Sequence, residues 1–264
     1  MRTLRSLGLL LTVAILFISC FKSENPYPSG CKVVKATYYN GSAIADSSVY
    51  TYSGDKVIGL KTDGANYRFL YDTLNLIVRR DFYTVDSVKA DKYDTITYNA
   101  NKTLKRIDTY INLGSGAYLL SNRIDFVYTA SGKLFTITTY NMSTGAALKE
   151  HNYRYIFDYN NIIAVNHTDF TGTTPTSEVF TYSHDNTSNY FTRQNNQVFL
   201  IDPFFNDFDP TLLPFTWNAN NITNISNGNN STMVVLDLDA YHKNLMDVKI
   251  TGLLGVHYEY QCQN

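Results

Sequence analysis

Tyr50-Thr-Tyr52, Ser53-Gly-Asp-Lys56, Val57-Ile58 is the stretch on which the fold turns: an aromatic strand end, a four-residue polar turn, and an aliphatic restart. The unit returns as Phe69-Leu-Tyr71 with Leu76-Ile77, Ile96-Thr-Tyr98 with Thr103-Leu104, and Phe126-Val-Tyr128 with Leu134-Phe135. It appears again as Tyr155-Ile-Phe157 with Ile162-Ile163, Phe180-Thr-Tyr182 with Thr187, and Phe215-Thr-Trp217 with Ile222-Thr223. A divergent eighth copy runs from Leu236 to Leu245. The step from the last aromatic to the aliphatic is five residues in most copies and six from Tyr128 to Leu134. That distance suits a hairpin with a loop of four or five residues. Copies recur too irregularly for a strict solenoid.

Other turn signals stand between the copies, among them Asn40-Gly41, Asp63-Gly64, Ser143-Thr-Gly145 and Asn227-Gly-Asn229. A turn every 8–15 residues predicts an all-β antiparallel meander of roughly 16–19 strands with local connections. Composition agrees. Tyr 22, Phe 15, 29 Thr and 27 Asn favour strands and turns over helices. The strand pattern is two-fold but not clean: Tyr153, Tyr155, Phe157 and Tyr159 share one face, with Arg154 and Asp158 opposite. A flat sheet of this size leaves open edges and a wet aromatic face, so a barrel-like or spiral curl is expected. A membrane-spanning barrel needs strands of about 9–11 residues with an apolar outer band. Many runs here are shorter and carry charge on both faces, which predicts a water-facing sheet.

The chain of 264 residues begins Met1-Arg-Thr-Leu-Arg5, followed by an apolar run from Leu7 to Ile18 and then Ser19-Cys20. This reads as a secretory signal over residues 1–19, too short to span a bilayer. Leu16-Phe17-Ile18-Ser19-Cys20 resembles a bacterial lipobox, with Phe17 where Leu is usual. Cys20 supplies the thiol for acylation and Ser19 the small residue beside the cleaved bond. Residues 20–30 then form a polar tether, leaving 31–264 as a single β-domain. Phe21 after the cysteine favours the outer membrane, on its periplasmic face or at the cell surface. From Cys20 onward twenty cations face 23 anions, a net charge of −3. That balance gives no general drive toward nucleic acid.

Cys31 and Cys262 remain. Export to an oxidising compartment favours their pairing. Cys31 opens the first strand-like run and Cys262 closes the last, so a disulfide is expected as a seam between them.

Chemistry-bearing residues are sparse. His151, His167, His184, His242 and His257 are scattered without metal-ligand spacing, and no hydrolase, zinc or phosphate-loop motif occurs. No catalytic residue, metal or cofactor is assigned. The segment from Asp202 to Pro214 breaks the repeat with three Pro, three Phe and three Asp. Such a loop packs Phe204, Phe205 and Phe208 over one end of the sheet or else acts as lid, plug or ligand contact, and on that second reading Phe204, Phe205, Asp207, Phe208 and Asp209 are the candidate contact residues. The repeated tyrosines could stack on sugar rings. Their recurrence at one repeat position favours a cross-strand ladder.

The hairpin unit is similar to the tyrosine repeats of Rhs and teneurin-type shells, without their regular Tyr-Asp core. Together with the lipobox and the Asn, Thr and Tyr bias, the chain over about residues 31–262 resembles a Bacteroidota lipoprotein family of unknown function with a porin-like β-fold. The resemblance implies a fold and an envelope address, and no activity. The expected function is a lipid-anchored binding or scaffold component whose partner is a glycan or an envelope protein. The alternatives are an extracellular polymer hydrolase with fold-assembled carboxylates and a subunit packed against a transporter.

Overall fold

The aromatic-turn-aliphatic unit folds as a hairpin because its turn holds one residue in the left-handed region. Gly54, Asn75, Lys102, Gly132 and Tyr159 fill that position in five successive turns, with φ between 48° and 80°. The computed structural model describes residues 31–84, 87–114, 116–190, 198–202, 210–228, 230–238, 245–250 and 254–262. The signal, Cys20, the tether, and Phe204, Phe205, Asp207, Phe208 and Asp209 lie outside the described residues.

The strands are β1 (Cys31–Asn40), β2 (Ala43–Ser53), β3 (Lys56–Thr62), β4 (Ala65–Tyr71), β5 (Ile77–Thr84), β6 (Lys92–Tyr98), β7 (Leu104–Asn112) and β8 (Tyr118–Tyr128). They continue as β9 (Leu134–Asn141), β10 (Leu148–Asp158), β11 (Asn161–Asp169), β12 (Thr176–Ser188), β13 (Asn220–Asn227), β14 (Asn230–Leu238), β15 (Leu245–Ile250) and β16 (Leu254–Cys262). Each pairs antiparallel with its chain neighbours, and β1 pairs with β16, closing a barrel. The register sets Cys31 opposite Cys262, and the two are joined by a disulfide. The antiparallel meander, its curl and the covalent seam are all as expected.

A bulge in each of six hairpins explains why strand alternation is imperfect in the sequence. Register shifts fall immediately before Tyr52, Tyr71, Tyr98, Tyr128, Phe157 and Leu238. The extra residue lies early in the returning strand, so its first two inward residues are three apart instead of two. Leu104 and Ile107, Leu134 and Ile137, and Ile162 and Val165 are such pairs, and all are buried. They belong to one core that also takes Phe69, Ile96, Phe126, Tyr155, Val248 and Tyr258 from around the wall. In a closed sheet, a face on which all sides converge is the inner one.

Two of the seven repeat copies are corrected by the structure. β12 runs straight through Tyr182 to Ser188, with no turn after the aromatic. Phe215 and Trp217 lie on a helical turn, α2 (Pro214–Trp217), and not on a strand. Pro214 sits at the start of that turn, where its missing N–H costs nothing. Phe215 and Leu213 are buried in the core, so burial inside the barrel overrides strand pattern there. Tyr159, placed by pattern on the face of Tyr153, instead occupies the left-handed turn position and is exposed.

The disulfide closes a loop with a sequence separation of 231. Chain entropy gives such a link about 5 kcal/mol, reduced by any native strain. Cys31→Ser, or reduction with dithiothreitol, should lower the denaturant midpoint of the folded barrel, the unfolding free energy falling by up to that amount. An unchanged midpoint would show that the strand ladder alone secures the seam.

Candidate functional site

The lumen is occupied by the chain itself. The connection from β12 to β13 leaves and re-enters the wall at the end that carries the disulfide, the end where β2, β4 and the other even strands finish. It contains α1 (Val198–Ile201) and α2. Its described parts touch strands around the whole circumference. The Tyr155 and Tyr182 hydroxyls donate to the Pro210 and Thr211 carbonyls at 3.0 and 2.7 Å. Arg80 donates to the Leu200 carbonyl at 3.1 Å and to Asp94 at 2.7 Å. Asn218 accepts from the Ile162 amide, and Trp217 stacks on Tyr128.

Asp202 latches this plug near mid-wall. It is buried, and its carboxylate accepts from Tyr258 at 2.6 Å and Tyr38 at 3.1 Å. Burial, then the nearby Asp202 charge, pushes the hydroxyl pKa values of Tyr50 and Tyr258 well above the ordinary range. Tyr38 of β1 and Tyr258 of β16 thus donate to one carboxylate, while Tyr50 of β2 stays protonated beside it and hydrogen-bonds Tyr38.

The repeated tyrosines prove structural. Tyr52 donates to the Val33 carbonyl, Tyr71 to Val57 and Tyr98 to Ile77, at 2.7–2.8 Å. Each reaches back to the strand just before its own, fastening hairpin to hairpin. Burial moves Tyr71 up to about 12 and Tyr52, Tyr98 and Tyr128 higher still. The Tyr52, Tyr71 and Tyr98 hydroxyls are thus committed to the wall.

A polar row lines the inner wall at the end opposite the disulfide. His151 on β10 and His167 on β11 are hydrogen-bonded, Nδ1 to Nε2, at 3.1 Å. His167 Nδ1 pairs with Glu178 on β12 at 2.8 Å, and Asn227 on β13 donates to the other Glu178 oxygen at 2.8 Å. Asp169 lies 3.7 Å from His151, and Tyr153 stacks on His167 with ring centroids 4.5 Å apart. The Thr139 hydroxyl, on the residue paired with His151, is buried without a hydrogen-bond partner. Sequence reading missed this row because the histidines are 16 positions apart. The hairpin turn at Tyr159–Asn160 was the available signal, since it sets Tyr153 opposite His167 and His151 opposite Asp169. Of the other histidines, His184 meets Asn218 and His257 meets Asp247, while His242 lies outside the described residues.

Among the described residues, no group of three or more His, Cys, Asp or Glu side chains is arranged to hold a metal. Neither carboxylate of this row has the raised pKa of a general acid. The His167 hydrogen bond holds Glu178 below its ordinary pKa, and hydrogen bonds from Thr171 do the same for Asp169. Glycoside cleavage needs one carboxyl group raised so that it can protonate a leaving group.

The outer face of the wall is laced by ion pairs. Arg68 and Arg79 both engage Asp81, Arg106 pairs with Asp125, Arg123 with Asp108, and Lys35 with Glu259. Between the ion pairs the strands also expose Val49, Leu70, Val127, Ile156 and Val179, so the face is mixed.

Among solved structures, a porin-like protein from Bacteroides vulgatus aligns with a TM-score of 0.54 at 15% identity, over 87% of this chain and 98% of that one. The fold is porin-like. A second porin-like protein, from Bacteroides uniformis, aligns at 12% identity over 87% and 98% with a TM-score of 0.41, too low to carry argument. No protein-family model and no curated protein matches the chain. At such identity the likeness speaks for the barrel alone, and the plug, latch and polar row rest on this chain's own geometry.

Tyr258→Phe removes one hydroxyl from the Asp202 latch. Hydrogen bonds to charged groups contribute about 1.5–3 kcal/mol. Limited proteolysis should cut the β12–β13 connection faster in the variant while the far-ultraviolet circular dichroism of the wall is unchanged. Equal cleavage rates would show that Asp202 does not hold the plug.

Proposed function

We propose that this protein is a lipid-anchored binding or scaffold component of a bacterial outer membrane, tethered through Cys20, with a glycan or an envelope protein as partner. The observation that carries this reading is the barrel lumen taken up by the protein's own β12–β13 connection. A barrel filled from within does not serve as an open pore, and its ion-paired outer wall suits water. Cys31 lies at the plugged end, so a tether over residues 20–30 would hold the barrel by that end. The opposite rim, with its His and Glu row, would then face away from the membrane. Lipobox-like residues Leu16–Cys20 support the anchor, and the lowered carboxyl pKa values make the hydrolase alternative the weaker one.

Purified full-length protein added to planar lipid bilayers should give no stepwise ohmic conductance, and mass spectrometry of the mature form should find an acylated Cys20. Unit conductance steps would overturn the non-pore reading, and an unacylated N-terminus would overturn the anchor. Glycan-array and cross-linking screens that return no partner of either kind would count against the binding role.

A further inference from the structure

The polar row at the rim opposite the disulfide has a choice of hydrogen bonds that protons decide. Glu178 accepts from His167 Nδ1, which leaves His167 Nε2 as the acceptor for the His151 Nδ1 proton when both rings are neutral. A first added proton enters at the open His151 Nε2 or, after transfer of the shared proton, leaves His167 as a cation whose Nε2–H donates back to His151 Nδ1; the bond survives either way. The flat Tyr153 ring against His167 favours that cation. A second proton places N–H groups on both facing nitrogens, 3.1 Å apart, and the bond cannot persist.

Within 3.7 Å of the same His151 Nδ1 lies Asp169 Oδ1. That oxygen already accepts from the Thr171 amide and the Thr171 hydroxyl, both at 2.7 Å. These two bonds begin the loop that joins β11 to β12. We propose that His151 and His167 form a two-proton switch: acidification moves His151 from His167 to Asp169, where it competes with Thr171 and resets the β11–β12 loop at the barrel rim.

The charged and titratable groups facing the pair come from every adjoining strand. They are Tyr153 beside His151 on β10, Asp169 on β11 and Glu178 on β12; β9 contributes the neutral Thr139 and β13 the neutral Asn227. Glu150 is engaged with Asn141, and the Lys149 ammonium lies over Phe170 of the loop. Because Asp169 and Glu178 are both held below their ordinary pKa values, they stay ionised between pH 8 and 5, where imidazole is the side chain that changes charge. Each doubly protonated ring therefore finds its own carboxylate: His167 keeps Glu178 and His151 gains Asp169.

The test is an NMR titration of the isotope-labelled full chain in detergent micelles from pH 8 to 5. The His151 and His167 rings should titrate in two coupled steps, and the Thr171 amide resonance should move upfield with the second step as its bond to Asp169 lengthens. In His151→Gln the Thr171 shift should vanish. Should that variant fail to fold, the wild-type titration decides alone. A Thr171 amide that ignores the histidine steps, or that responds equally in His151→Gln, overturns the switch.

Discussion

An antiparallel sheet of sixteen strands has two edges unless it closes, and each edge would expose a row of unpaired N–H and C=O groups. Closure is the constraint from which the rest of this structure follows. Pairing β1 with β16 satisfies both rows at once, and the Cys31–Cys262 bond sits at the end of that seam. The bulges at the strand ends of six hairpins supply local bending and twist. The tyrosine hydroxyls fix the angle between one hairpin and the next by reaching a carbonyl of the strand before.

A barrel this wide leaves space that wall side chains alone do not fill. The β12–β13 connection brings Leu200, Leu213 and Phe215 into it, all buried. Bringing a backbone segment into an apolar interior also brings its polar groups, which need partners there. Tyr155, Tyr182, Asn189, Arg80 and Asn218 provide them. The tyrosine-rich composition therefore has two uses. Rings supply apolar area to the core, and hydroxyls at their tips meet the carbonyls of wall and plug.

Much of the architecture was legible in the sequence. Five of the repeat units fold as hairpins where the Tyr-turn-aliphatic pattern placed them, and the first and last strands meet. What misled the pattern was local similarity without local turn geometry. Phe215-Thr-Trp217 looks like a strand end, yet Pro214 and burial within the lumen make it a helical turn. Asp202 looked like one more loop acid, because nothing nearby in sequence announces that β1, β2 and β16 close around it. The His151–His167–Glu178 row is a product of register. Register depends on which residue sits in the left-handed turn position, and a tyrosine there, Tyr159, is a weak sequence cue. The segment chosen from composition as the contact loop, Phe204 to Asp209, lies outside the described residues, while its neighbours Asp202 and Pro210 to Phe215 are the plug.

Hydrogen exchange tests closure most directly. With the disulfide intact, the amides of β1 and β16 should be protected as strongly as those of β7 and β8 on the far side of the wall, because neither strand is an edge. Amides along the facing sides of β1 and β16 that exchange as fast as those of the turns would mean an open sheet, and would contradict the closed barrel.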